Sequence, residues 1–236
     1  MKLLAIDTSG PVCGVAILTE AGIVHECATV NRLTHSANLL PMIDSALCST
    51  GLTLADMDRF AAVTGPGSFT GVRIGVSTVK GLAHGAGKPC VAVDALEAMA
   101  AGAGEFGGII CPIQDARAGQ VYGAAFRQRG GGLRPERLMK DTPMALKDYA
   151  DFLCTLGDRF LFLGDGMPVH RARLTEMLGE KAVFAPAHGS FLRPGAAAYL
   201  ASLEEETLDY RALMPMYLRA PSAERCRKLT EAAHAQ

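Results

Sequence analysis

Gly65-Pro66-Gly67-Ser68-Phe69-Thr70-Gly71 joins an apolar run to a helix-forming one. Phe60 to Thr64 has the composition of a buried strand, and Phe69 to His84 carries Val72, Val76, Val79 and Leu82 at helical spacing. A glycine turn between a strand and a helix presents backbone N–H groups, a favourable place for an anion. The phosphate-loop pattern GxxxxGK[ST] and its lysine are absent, however, and Gly65, Gly67 and Gly71 only approach GxGxxG. Glycines here let the chain turn sharply and come close to another backbone. Small residues continue along the helix at Gly71, Gly75, Thr78 and Gly85. An interior Gly costs roughly 1 kcal/mol against Ala. The spacing therefore predicts an offsetting gain, tight packing against another helix.

Towards the N-terminus, Leu3 to Ile6 is a short apolar strand that ends in Asp7-Thr8-Ser9-Gly10-Pro11, which is turn chemistry. Strands over Cys13–Thr19 and Ile23–Val30, turned at Ala21-Gly22, make an antiparallel meander. Ser36 to Cys48 reads as a helix with Leu39, Leu40, Ile43 and Leu47 at helical spacing, with Pro41 tolerated if it lies in the first turn. Met42 and Ala46 widen its apolar surface beyond the single stripe that a surface helix needs. One side is expected to meet the core and the other a second subunit. After the glycine-turn helix come a strand, Cys90–Val93, and a helix through Gly102 capped by Asp94.

The second half repeats this order. Gly108–Gln114 is a strand ending in Asp115-Ala116-Arg117-Ala118-Gly119, followed by strands Gln120–Phe126 and Leu133–Lys140 about a Gly130-Gly131-Gly132 turn. Thr142-Pro143 is expected to start a helix through Cys154; Phe160–Leu163 then runs as a strand into Gly164-Asp165-Gly166. Helix Pro168–Leu178, strand Ala182–Phe184 and helix Pro194–Glu206 follow. Asp7 corresponds to Asp115, and the strand-to-glycine turn at 59–65 to that at 159–164. This is a duplication of pattern rather than of identity. It predicts an α/β chain with a mixed sheet covered on both faces in each half. The expected division is an N-terminal lobe, 1–104, a C-terminal lobe, 105–221, and a flexible tail, 222–236.

The 236 residues suit two lobes of roughly 100 residues each. Apolar residues make up 49%, enough for a core, and 23 basic residues against 24 acidic ones announce no strong field for nucleic acid or membrane. Seven scattered cysteines without a CxxC pair argue against a disulfide framework or a structural zinc site. Asp7 cuts the N-terminal apolar run short of a signal peptide, and no stretch approaches the ~18 apolar residues of a span, so the expected compartment is the cytoplasm.

Asp7, Thr8 and Ser9 at a strand end could hold a phosphate or a metal-bound water, with Asp115 facing them across a cleft. The alternative is a turn capped by its own side chains. No two of the six histidines stand at HxxxH or HxH spacing, and no GxSxG elbow appears, so catalysis has no clear anchor.

Five stretches taken in order resemble the bacterial TsaB (YeaZ) family. They are Leu4-Ala5-Ile6-Asp7-Thr8-Ser9, Thr34-His35-Ser36 with Leu39-Leu40-Pro41-Met42-Ile43, Gly65 to Gly75, Asp115-Ala116-Arg117 with Val121-Tyr122, and Pro215-Met216-Tyr217-Leu218-Arg219. The resemblance implies the two-lobed actin/Hsp70/sugar-kinase (ASKHA) fold, a duplicated mixed sheet with flanking helices. It implies a non-catalytic dimerisation or scaffold subunit in making N6-threonylcarbamoyladenosine at position 37 of tRNA. The partner is TsaD, which transfers the threonylcarbamoyl group, and the ATPase TsaE docks on the pair. ATP and Mg²⁺ are used by the complex and no cofactor by this subunit itself; tRNA is met indirectly, and the subunit alone is a homodimer. The docking helices map onto Leu39, Leu40, Ile43 and Leu47, and onto Phe69, Val72, Gly75, Val76 and Val79. The metal-binding HxxxH of TsaD is absent here, and Asp7-Thr8-Ser9 lacks the middle Gly of the DxGT/S phosphate loop. The competing expectation is an ATPase or small-molecule kinase with a nucleotide between the lobes, at Asp7, Thr8, Ser9 and Asp115.

Overall fold

The computed structural model describes residues 1–31, 34–128 and 134–219. The first half forms β1 (Leu3–Asp7), β2 (Cys13–Thr19), β3 (Gly22–Thr29), α1 (His35–Thr50), β4 (Arg59–Gly65), α2 (Phe69–Ala86), β5 (Cys90–Asp94) and α3 (Ala95–Gly102). The second forms β6 (Ile109–Arg117), β7 (Gln120–Arg127), β8 (Glu136–Ala145), α4 (Leu146–Leu156), β9 (Phe160–Leu163), α5 (Gly166–Leu178), β10 (Ala182–Phe184) and α6 (Pro194–Leu203). Two five-stranded sheets result, ordered β3-β2-β1-β4-β5 and β10-β9-β6-β7-β8. In each, the first three strands pair antiparallel and the last two join in parallel. Read from the opposite edge, the second order repeats the first, so the duplication is one of topology.

Alternation along the strands sorts their side chains between two faces. On one face of the first sheet, Leu4, Ile6, Val15, Ile17 and Phe60 pack under α1 and α2. On the other, Leu3, Ala5, Ala16, Ala61 and Val63 meet alanines of α3 and α6. That second cluster continues into the other sheet through Ile110, Ala124, Phe126 and Leu163. Small residues such as Ala95, Ala98, Ala197 and Ala201 let α3 and α6 lie close to the sheets. A third cluster joins the outer face of the second sheet to α4 and α5 through Ile113, Val121, Tyr149 and Leu174.

The expected lobes 1–104 and 105–221 each hold one sheet. Yet α6 and the segment after it, from the second of these stretches, pack on the first sheet, where Leu208 bridges Cys90 and Met216 N–H donates to Thr64 O at 2.7 Å. Asp94 caps α3 as expected, accepting from Glu97 N–H at 2.8 Å.

Several boundaries are corrected. Thr142-Pro143 does not start a helix. β8 runs through to Ala145, with Pro143 opposite Tyr122 on an edge strand, where a missing N–H is tolerated. α5 begins at Gly166 and α6 stops at Leu203. Pro41 lies beyond the first turn of α1, on its exposed side. The Gly130-Gly131-Gly132 turn, Leu133 and the tail 222–236 fall outside the described residues.

Candidate functional site

The glycines of the 65–75 stretch face the β1–β2 turn. A Cβ at Gly67 would run into Ser9 O, one at Gly71 into Thr8 O, and one at Gly75 would lie 2.5 Å from Thr8 Oγ1. Hydrogen bonds close the same contact: Ser68 N–H donates to Ser9 O at 2.6 Å and Thr8 Oγ1 to Gly71 O at 2.7 Å. The expectation of tight packing against another helix is therefore corrected. The close approach of Gly71 and Gly75 is to the chain's own Asp7-Thr8-Ser9 turn, which lies over the start of α2. Gly81 and Gly85, further along α2, have nothing within 4 Å of a Cβ position.

That turn is closed on itself. Asp7, Thr8 and Ser9 are all buried, and Ser9 donates both its N–H and its hydroxyl to Asp7 Oδ1, at 2.8 and 2.7 Å. Asp7 Oδ2 is buried without a partner among the described residues. Burial pushes the Asp7 carboxyl up to about 6, against the lowering pull of the two Ser9 bonds and His35. The arrangement matches a turn capped by its own side chains, with the Ser9 N–H and the Thr8 and Ser9 hydroxyls already engaged.

A cleft of about 510 Å³ opens between the sheets, lined among others by Ser9, Ser68, Thr70, Asp115, Arg117 and Tyr217. Asp115 reaches it as expected, whereas the Asp7 carboxyl does not; Asp7 lies behind, on a small internal cavity shared with Gln114 and Asp165. Asp115 Oδ1 accepts Arg117 N–H at 3.0 Å and lies 3.3 Å from Nε2 of the buried His170. Gln114 is 2% exposed with both amide atoms unpartnered among the described residues, and burial raises Asp165 to about 6. Gln114, Asp165 and His170 were not singled out by sequence reasoning; a glutamine ending an otherwise apolar strand was the available signal. Among the described residues, no group of three or more His, Cys, Asp or Glu is arranged to hold a metal ion.

The helices expected to dock a partner divide sharply. Leu39, Ile43, Val72, Gly75, Val76 and Val79 are buried in the chain's own core against the first sheet. Their placement in an interface is corrected: the 3.6-residue period that makes them a stripe is satisfied by the sheet. Leu40 is 59% exposed, and Leu47 and Phe69 are half-buried. The outward side of α1 carries Leu40, Pro41 and Asp44, and that of α2 carries Thr70, Arg73, Ser77 and Gly81. Arg73 lies 3.8 Å over the Phe69 ring and donates to Tyr217 Oη at 2.7 Å, while Phe69 and Tyr217 stack at 4.6 Å. The Gly65–Gly75 and Pro215–Arg219 stretches, far apart in sequence, thus form one surface.

The profile of the TsaD family, tRNA N6-adenosine threonylcarbamoyltransferase, matches residues 18–225. The tRNA threonylcarbamoyladenosine biosynthesis protein TsaB of Bacillus subtilis is 37% identical over 95% of this chain and 96% of its own length. The chain belongs to the TsaB family. The Escherichia coli TsaB protein is 38% identical over 56% of this chain and 58% of its own. A crystal structure of a Pseudomonas aeruginosa protein, described as similar to peptidase YeaZ, superposes with a TM-score of 0.77 at 28% identity, covering 92% of this TsaB-family chain and 99% of that one. The fold is accordingly the duplicated, two-sheet architecture shared with that structure. No helix among the described residues of this family member is long and apolar enough to cross a membrane.

Proposed function

We propose that this chain is a non-transferring partner subunit in tRNA threonylcarbamoyladenosine biosynthesis, binding a TsaD-type transferase through the outward side of α1 and α2. The observation that carries this reading is the division of α2. Its inner glycines, Gly71 and Gly75, lie against Thr8 O and Thr8 Oγ1, but Gly81 and Gly85 have nothing within 4 Å of a Cβ position. An exposed interior Gly costs roughly 1 kcal/mol with no return inside this chain. It becomes useful when a partner helix comes close, and Leu40 on the neighbouring helix supplies exposed apolar area beside such a contact. The closed Asp7-Thr8-Ser9 turn supports a role without phosphoryl chemistry of its own. In this reading TsaE docks on the pair, ATP and Mg²⁺ serve the complex, tRNA is contacted through the assembly in the cytoplasm, and the isolated chain pairs with itself through the same face.

The test is copurification with TsaD and TsaE, then tRNA modification reconstituted with Leu40→Glu and Gly81→Arg variants. Both are expected to keep the fold and lose the partner. Wild-type copurification retained by both variants would refute the assigned face. The 510 Å³ cleft, with Asp115 and the start of α2 in its wall, is the observation favouring the kinase reading. Calorimetry of Mg-ATP on the isolated chain separates the two, since tight binding with turnover belongs only to a kinase or ATPase.

A further inference from the structure

The edge strands β5 and β8 of the two sheets are bridged by four carboxylates and two guanidinium groups. Asp94 ends β5 and Glu97 lies in the first turn of α3; Arg134 precedes β8, Arg137 and Asp141 lie on it, and Glu204 follows α6. Arg134 pairs with Glu97 through both carboxylate oxygens, the Nη2 bond measuring 3.0 Å, and reaches Glu204 Oε1 at 2.6 Å. Arg137 stands 3.2 Å from Asp94 Oδ2 and 3.5 Å from Glu97 Oε2, pairs with Asp141 Oδ1, and covers the Phe126 ring at 4.6 Å.

Asp94 and Asp141 are held on the same guanidinium, Asp94 Oδ2 at Nη2 of Arg137 and Asp141 Oδ1 at its Nη1, which brings the two carboxyl groups side by side. Two ionised carboxylates offer each other only acceptors. The Asp141 side chain is 6% exposed, and its Oδ2 has no partner among the described residues. One proton on Asp94 would supply the missing donor and remove a like-charge contact. We propose that Asp94 and Asp141 share one proton, and that this pair, flanked by Arg134 and Arg137, is a pH-sensitive clasp holding the two sheets in one fixed relation. Burial raises the Asp94 carboxyl to about 8, the Asp141 bond and charge add to the rise, and Arg137 and the Glu97 N–H oppose it. Two neighbouring groups are otherwise engaged: Tyr149 on α4 donates its hydroxyl to Ala124 O, and Arg127 on β7 lies 3.9 Å from Glu136.

The clasp is closed at neutral pH and loosens as pH rises through about 8. The full chain, labelled at the Asp carboxyl carbons, tests this by NMR titration without any substitution. One carboxyl is expected to titrate near 8, assigned by its loss in Asp94→Asn and by its downward shift in Asp141→Asn. Amide exchange in β5 and β8, corrected for intrinsic rate, should quicken at least several-fold between about pH 7 and about pH 9. Asp94→Asn keeps the acceptor for Glu97 N–H and adds a permanent donor for Asp141, so its exchange should stay level. If every Asp carboxyl of the wild-type chain has titrated below about pH 7, no proton is shared and the proposal fails. A carboxyl titrating near 8 with unchanged β5 and β8 exchange would overturn the clasp.

Discussion

At Gly75 a methyl group has nowhere to go except into Thr8 Oγ1, whereas at Gly81 it meets nothing. Gly75→Ala is expected to lower the unfolding free energy by about 1–3 kcal/mol. Gly81→Ala in the isolated chain is expected to raise it by up to about 1 kcal/mol. Urea titrations of the two variants check both signs. Asp7 gives a second prediction. Its folded carboxyl titrates near 6, above the ordinary value of 3.8, so between these pH values the folded state holds a proton that the unfolded chain has released. Stability from this group is fully present below about pH 4, declines as pH rises, and is gone above about pH 6, a change of roughly 3 kcal/mol. Asp165, raised to about 6, acts in the same sense. Asp7→Asn keeps an acceptor for Ser9 and carries no charge; its stability should therefore change less between about pH 4 and about pH 7 in thermal melts than wild type does.

Helices α1 and α2 each present two different sides, and substitution should tell them apart. Val76→Glu or Ile43→Glu places a carboxylate in the core under the first sheet and is expected to cost several kcal/mol, unfolding the lobe rather than reporting on a partner. Leu40, at 59% exposure, is outside that core, and Leu40→Glu is expected to leave circular dichroism and melting nearly unchanged while abolishing copurification with TsaD. Element order was legible in the sequence because strand runs and 3.6-residue stripes are local. Which side of α2 meets the sheet was not, because Gly71, Gly75, Gly81 and Gly85 look alike until Thr8 is seen against the first two. Thr142-Pro143 has the chemistry of a helix start, and only pairing with Tyr122 reveals a strand. The Asp7-Thr8-Ser9 turn was readable as self-capping from its hydroxyls. Its cover by α2 was not, since that contact joins residues some sixty positions apart. The same holds for the Arg73–Tyr217 bond.

Across the whole molecule, the two sheets are joined by a shared apolar core. Alanine-rich α3 and α6 lie between them, the Asp94–Arg137 cluster bridges their edges, and the segment after α6 returns to the first sheet. In the proposed reading, the outward side of α1 and α2 is the docking face. Reconstituted tRNA modification tests that role most directly, with TsaD, TsaE and threonylcarbamoyl-adenylate present and this chain added, omitted or replaced by Leu40→Glu. The expected result is threonylcarbamoyladenosine formed only with the wild-type chain, with no requirement for ATP hydrolysis by that chain alone. Full modification without it, or with Leu40→Glu in its place, would contradict the docking role.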